Sequence, residues 1–160
     1  MRTQLQSQRK RLQKSLKSTK SGHGRKKKCK ALDKLKKRER NFVQNYNHYV
    51  SRQVVDFAVK NKAKYINMED LSGFSGSQYV LRNWSYYELG QYIKYKAARY
   101  GIEVRKINPY HTSQICSKCG HWEEGQRIDQ AHFRCKECGT ELNADFNAAR
   151  NIAKSVEFVK

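Results

Sequence analysis

Apolar residues recur at helical spacing from Leu35 onward, at steps of three or four positions. This period predicts one long amphipathic helix. Its predicted inward positions are Phe42, Tyr46, Val50, Val54 and Phe57. Before it, the first 30 residues are polar and basic, which predicts a helical piece, a flexible break near residues 18–24 and a cationic run.

Two short strands and a second helix are predicted next. Residues 63–68 are too few for a stable helix and predict a strand that ends at Glu69. Ser85 and Glu88 have capping-box spacing, and Gly101 suits a helix C-terminus, so a helix is predicted between them. Its predicted inward residues are Leu89, Ile93 and Ala97. Residues 102–107 alternate in character and predict a second strand.

The end of the chain predicts a last helix capped by Asn143. Its predicted inward residues are Phe146, Ala149, Ile152 and Ala153. Helices that alternate with strands indicate a layered α/β unit. Because two strands make a poor core, we interpret the chain as part of a domain.

Charge is concentrated at the front of the chain. The net charge is +20, and residues 1–40 hold seventeen basic and two acidic side chains. Such a segment favours nucleic acid as a partner, because each neutralised phosphate releases counterions; a solvated basic tail is the plainer alternative. There is no apolar run long enough for a membrane span or a signal peptide, so we expect a cytoplasmic protein without a membrane partner.

Four of the five cysteines have the spacing of a zinc ribbon. Cys116 and Cys119 form one Cys-x2-Cys knuckle, and Cys135 and Cys138 form the other after fifteen residues. Four thiolates leave zinc no open coordination position, so the predicted role of Zn²⁺ is structural. Nothing near Cys29 completes a catalytic set, and we interpret it as incidental.

Other residues give weaker indications of metal or nucleic-acid binding. Three histidines, at positions 111, 121 and 132, lie near the knuckles and are interpreted as surface or second-layer residues. Aromatic residues interleave with cations around the second helix and could stack on unpaired bases, although Tyr86 and Tyr92 suit packing equally well. That set comprises Trp84, Tyr86, Tyr87, Tyr92 and Tyr95 with Lys94, Lys96 and Arg99.

Two carboxylates stand at element ends. Glu69 closes the first predicted strand in Met-Glu-Asp-Leu, and Asp145 lies in the first turn of the last helix in Asn-Ala-Asp-Phe-Asn-Ala-Ala. By position alone, each has a plain explanation as a solvated acid or an acid favoured by the helix dipole.

Together with the paired knuckles, these motifs resemble the C-terminal half of the TnpB family, which comprises OrfB-type transposon proteins and the miniature type V CRISPR effector nucleases. The resemblance runs from about Asn41 to Ala153. It implies an RNase H-like, RuvC-type nuclease in which a first Asp, a Glu and a last Asp hold two Mg²⁺ ions for DNA cleavage. Glu69 would match the Glu and Asp145 the last Asp. Arg127 lies where the family has a basic residue, but the match there is loose.

The sequence also departs from the family pattern. The first catalytic Asp lies in a Gly-x-Asp strand context that these 160 residues lack. We therefore expect an incomplete RuvC-type α/β domain (residues 34–111 and 140–160) with an inserted zinc ribbon (112–139) and a basic N-terminal helical arm (1–33). The implied partners are DNA and guide RNA, with a second chain as a source of the missing half.

Three functions follow from this sequence. The first is a fragment of an RNA-guided endonuclease that binds nucleic acid, keeps two of three metal-binding carboxylates and is inactive alone. The second is a noncatalytic zinc-ribbon protein that binds nucleic acid. The third, a structural zinc-ribbon protein of a ribonucleoprotein particle, gives no reason for Glu69 and Asp145.

Overall fold

The computed structural model of the chain describes residues 2–71 and 85–155. Four helices and four strands occur there. The helices are α1 (Arg2–Lys17), α2 (His23–Lys60), α3 (Tyr86–Ala98) and α4 (Ala144–Lys154), and the strands are β1 (Tyr65–Glu69), β2 (Glu103–Ile107), β3 (His132–Arg134) and β4 (Glu141–Asn143). The predicted order of helices and strands is thus confirmed, while β3, inside the predicted ribbon, and β4, just after it, were not predicted. None of the described helices is both long and apolar enough to cross a membrane.

Helices α1 and α2 form an antiparallel hairpin rather than a loose basic tail. Leu5 of α1 is buried, and the carboxylate of Glu39 on α2 accepts a hydrogen bond from Arg9 at 2.8 Å. Helix α2 begins at His23, twelve residues before the predicted start at Leu35. Lysine and arginine are good helix formers without an apolar period, so periodicity alone missed this part. The boundary drawn at residues 33 and 34 falls inside α2, and the division into domains stays a prediction.

The buried face of α2 differs from the predicted one. Tyr46 and Phe57 were expected inward, but they are 57% and 72% exposed. The buried positions after residue 40 are Asn47, Ser51, Val55 and Ala58. Polar residues occupy this face because the facing helix α3 offers partners: Asn47 donates to Ser85 Oγ at 2.7 Å, and Ser51 Oγ accepts from Lys96 at 2.6 Å. A search for apolar periodicity treats Asn and Ser as solvent-facing residues, so it predicted a neighbouring face of α2 as the buried one.

Strands β1 and β2 pair in parallel, from Tyr65 opposite Glu103 to Glu69 opposite Ile107. Helices α2 and α3 cover one face of this pair. The core there consists of Val55, Ala58, Ile93, Ala97 and Ile102, with Ile66, Met68, Leu89 and Val104 packed against it. The inward positions predicted for α3 are confirmed.

The two predicted helix caps have different outcomes. Ser85 is the N-cap of α3, but its side chain makes no capping bond, so the predicted capping box is wrong in that respect. The side chains of Ser85 and Glu88 bond to Asn47 instead of to the helix backbone, since the Asn47 amide also donates to Glu88 Oε2 at 2.9 Å. Asn143 caps α4 as predicted and accepts from the backbone N–H of Asp145 and Phe146.

Helix α4 packs by its asparagines rather than by the predicted apolar stripe. Phe146 is 56% exposed, and Ala149 and Ala153 are exposed as well, whereas Ala144 and Asn147 are buried. Ile152 is half-buried. The partner of this helix is the backbone of the cysteine module, which presents hydrogen-bonding groups, and amide side chains therefore lie inward.

Candidate functional site: a four-cysteine centre beside two carboxylates

The four cysteines of the two knuckles converge on one point. Their sulfur atoms all lie within 4.8 Å of one another, with Cys116 and Cys138 at 3.7 Å and Cys119 and Cys135 at 3.6 Å. Sulfurs placed tetrahedrally around an ion at the Zn–S distance of about 2.3 Å would stand about 3.8 Å apart. The cluster therefore has the size of a tetrahedral thiolate metal site. Among the described residues, this cluster is the one group of three or more potential metal ligands that lie close together.

The two knuckles share one backbone pattern. The N–H of Gly120 donates to Cys116 O at 2.9 Å, and the N–H of Gly139 donates to Cys135 O at 3.1 Å. Both glycines have positive φ, 80° and 65°, which side chains rarely adopt. A Cβ atom at either glycine would meet no other protein atom within 4 Å, so glycine is required here by the turn geometry rather than by crowding.

Hydrogen bonds around the knuckles support the cluster. Thr140 Oγ1 lies 3.1 Å from Cys138 Sγ, and this contact, with the backbone of Thr140, lowers the pKa of the Cys138 thiol to about 6. Gln126, which the sequence did not single out, is fully buried and donates to His121 O and Gln114 O. The side chain of His132 contacts Asp129 at 2.8 Å and is 73% exposed, as expected for a surface histidine.

The first knuckle is bound to helix α4. Asn147 is fully buried; its Oδ1 accepts from Ser117 N at 2.9 Å, and its Nδ2 donates to Ile115 O at 2.8 Å. Lys154 adds a bond to Ser117 O at 3.0 Å. The orientation of α4 therefore depends on the fold of the cysteine module.

Glu69 lies half-buried at the carboxyl end of β1, as predicted. Its Oε1 accepts a hydrogen bond of 2.6 Å from the hydroxyl of Thr112, and its backbone oxygen accepts one from the Tyr86 hydroxyl. Burial, and then the carboxylates of Glu69 and Asp70, raise the pKa of Tyr86 to about 12. Tyr86 thus packs against this strand end, one of the two readings left open for it.

Asp145 lies in the first turn of α4 with its side chain 74% exposed. Its Oδ1 contacts Arg127 Nη2 at 3.1 Å. Arg127 also donates to the carbonyls of Asp129 and Gln130, at 3.2 and 3.1 Å, so the loop between the knuckles fixes the guanidinium. The loosely matched Arg127 therefore contacts one of the two candidate carboxylates, which spacing alone could not establish.

The chain is similar to known proteins over most of its length. A family model described as Cas12f1-like, TNB domain, matches residues 86–152. A CRISPR-associated endodeoxyribonuclease Cas12f1 from Sulfoacidibacillus thermotolerans is 51% identical over 134 residues, which cover 82% of this chain and 32% of that protein. A TnpB-like protein of Methanocaldococcus jannaschii is 29% identical, over 80% of this chain and 48% of its own.

A solved structure agrees with these matches. The cryo-EM structure of a Cas12f1-sgRNA-target DNA complex aligns with a TM-score of 0.74 and 29% identity, over 95% of this chain and 40% of that one. Over the matched residues, this chain is thus similar to the Cas12f and TnpB proteins. It spans about a third of the length of the Cas12f1 protein that it matches at 51% identity.

The segment matched by the Cas12f1-like model contains the four cysteines and Asp145 but begins after Glu69. Strand β1 and helix α4 nevertheless touch, since Asn67 Nδ2 donates to Ile152 O at 3.0 Å. Neither Glu69 nor Asp145 belongs to a group of three or more close acidic, cysteine or histidine ligands within residues 2–71 and 85–155.

The aromatic and basic residues of α3 divide into packed and exposed ones. Tyr92 stacks on His48 with ring centroids 4.0 Å apart, and Lys96 donates to His48 O at 2.7 Å. Burial, followed by repulsion from nearby arginines, lowers the pKa of Lys96. Its hydrogen bonds to His48 O and Ser51 Oγ hold the ammonium against α2. Tyr87 and Tyr95 are 79% and 42% exposed. Trp84 lies outside the described residues.

Proposed function

We propose that this chain is the C-terminal nucleic-acid-binding part of an RNA-guided, RuvC-type DNA endonuclease, and that its fold is an incomplete RNase H-like domain with an inserted zinc ribbon. One observation carries the proposal: Glu69 ends a parallel strand that contacts the very helix whose first turn holds Asp145. Ligands of open parallel sheets bind at the carboxyl ends of the strands. The family relationship supplies the reaction class.

Glu69 and Asp145 fit magnesium by their chemistry. Carboxylate oxygens are the ligands that Mg²⁺ prefers, and the ion keeps several waters, for which the exposed Asp145 leaves room. When bound, Mg²⁺ would activate water and stabilise the leaving oxygen of a phosphodiester. Within this chain, Glu69 and Asp145 would hold the ions and Arg127 would orient Asp145 through its contact with Oδ1.

The metal proposed for the four cysteines is zinc, in a structural role. The sulfur separations fit a tetrahedral site, and a shell of four thiolates leaves no open position for a substrate. Zinc would fix the first knuckle, and through Ser117 and Asn147 it would fix the start of α4. The ribbon would thus support the position of Asp145.

The first of the family's three metal-binding acids bears on the activity of this chain. The Gly-x-Asp segment that the resemblance implies does not occur in this sequence, and we propose that these 160 residues do not cleave DNA by themselves. The remaining Asp would come from another part of a longer polypeptide or from a second chain. The same observation favours the second candidate function, a noncatalytic zinc-ribbon protein that binds nucleic acid in the cytoplasm.

Nucleic-acid binding is assigned to the basic hairpin of α1 and α2. Lys10, Lys14 and Lys17 are all exposed on α1, and the hairpin packs through Leu5 and Glu39 without using them. DNA and guide RNA are the proposed partners. The relative of known structure was solved with sgRNA and target DNA, which supports this assignment.

The experiment measures affinity for fluorescent single-stranded DNA and RNA by anisotropy across a salt series. Replacing Lys10, Lys14 and Lys17 together by Gln should lower the salt slope by about 2, since each neutralised phosphate on a single strand contributes about 0.7. The control replaces Lys60, Lys62 and Lys64 by Gln. These residues are also exposed and carry the same charge, but they lie at and just beyond the end of α2, about 30 Å along the helix from the contact of Glu39 with α1. Equal slopes for the two triple variants would refute the assignment.

A further inference from the structure

The carboxylate of Glu69 is held by a hydroxyl from a distant segment. Thr112 Oγ1 donates to Glu69 Oε1 at 2.6 Å, and Thr112 is only 8% exposed. This distance is that of a hydroxyl bound to an ionised carboxylate, which is stronger than a bond between neutral groups. The same oxygen lies 3.2 Å from Pro109 O, a longer and weaker contact. The hydroxyl therefore mainly serves Glu69.

Helix α4 fixes the threonine in turn. Asn151 Nδ2 donates to Thr112 O at 2.8 Å and to Ile115 O at 2.7 Å. Asn151 lies six residues after Asp145 on the same helix, about 9 Å further along its axis. Two hydrogen bonds in series thus join the carboxylate of Glu69 to the helix that carries Asp145.

We infer that Thr112 is a positioning residue, which sets the carboxylate of Glu69 relative to α4 for metal binding, with Asn151 as its anchor. The inference rests on the proposed function, in which Glu69 is a metal ligand. Loss of a group that orients a ligating side chain typically lowers metal affinity about 10- to 100-fold. A purely structural alternative is that Thr112 only closes the turn that begins at Pro109.

The first measurement needs no metal. In the full chain with ¹³C labels, NMR couplings and relaxation of Glu69 report whether its side chain keeps one rotamer. Thr112→Val should give averaged rotamers, and Thr112→Ser should restore the wild-type values because it keeps the hydroxyl. Thr19→Val is the matched control, because Thr19 Oγ1 also donates a 2.6 Å bond but far away, to Ser15 O. If Glu69 is ordered equally in Thr112→Val and wild type, positioning by Thr112 is wrong.

The second measurement titrates Mn²⁺ and follows paramagnetic broadening at Glu69 and Asp145. Thr112→Val should need a roughly 10- to 100-fold higher Mn²⁺ concentration, the usual cost of removing a group that orients a ligand. Thr112→Ser and Thr19→Val should titrate like wild type. An unchanged titration in Thr112→Val would overturn the inference.

The two measurements separate this inference from the proposed function. If wild type shows no broadening at either carboxylate while Thr112→Val still disorders Glu69, the metal role fails and the positioning contact stands. If Mn²⁺ broadens both carboxylates in all variants alike, the metal role stands and the positioning role fails.

Discussion

Asn147 is the residue through which we expect the cysteine module to hold helix α4, and its replacement by Ala tests that junction. The side chain is fully buried and makes two hydrogen bonds, from Ser117 N and to Ile115 O. Asn147→Ala leaves the Ser117 N–H without its acceptor in a residue that is 5% exposed. An unpaired buried donor costs about 1–3 kcal/mol.

The second lost bond adds less. Ile115 O also accepts from Asn151 at 2.7 Å, so it keeps a partner after the substitution, and the loss there is about 0.5–1.5 kcal/mol. The expected total is a decrease of about 1.5–4.5 kcal/mol in the free energy of unfolding, which helix propensity offsets slightly because Ala favours helices by less than about 1 kcal/mol.

The assay is urea unfolding of the zinc-loaded chain followed by far-ultraviolet circular dichroism, with bound zinc measured on the same samples. Asn45→Ala is the matched control, since Asn45 is exposed on α2 and its loss should change stability by about 0.5 kcal/mol or less. A decrease below about 1 kcal/mol for Asn147→Ala, with zinc retained, would refute the reasoning about the buried amide.

Two further predictions concern the metal and one tyrosine. Cys116→Ser should lose the bound zinc and unfold the module, because metal binding supplies its folding free energy. The control Cys29→Ser, at an exposed cysteine outside the cluster, should keep one equivalent of zinc. Retention of zinc by Cys116→Ser would contradict the four-cysteine assignment. Tyr86 should ionise near pH 12 in a titration at 295 nm. Its raised pKa means that its contribution to stability is complete below about pH 10 and is lost as the pH rises towards 12. Tyr86→Phe should remove that step, whereas Tyr87→Phe, at a residue 79% exposed, should not.

Spacing predicted the parts of this protein that depend on local geometry. The four cysteines are brought together as their Cys-x2-Cys pairs indicated, and Asn143 caps the last helix as its side chain and position indicated. Strand β1 ends at Glu69 as predicted, because Asn and Gly punctuation bounds a segment too short for a helix. These features are encoded within a few neighbouring residues.

Tertiary partners decided the features that sequence reasoning missed. Asn47 and Asn147 face inward because a neighbouring element offers them groups to bond, and an apolar period cannot detect such partners. The contact between Arg127 and Asp145 spans 18 positions and depends on the loop between the knuckles. Thr112 reaches Glu69 over 43 positions. Long-range polar pairs of this kind have no signature in a single sequence.

The decisive measurement is cleavage of single-stranded and double-stranded DNA with Mg²⁺, using the zinc-loaded chain beside Asp145→Ala. We predict that neither protein cleaves DNA, while both bind it with the same dependence on salt, because we assign binding to the basic hairpin and the first metal-binding Asp to another part of the enzyme. Magnesium-dependent cleavage by the chain that Asp145→Ala abolishes would contradict it, since these residues would then contain a third metal ligand.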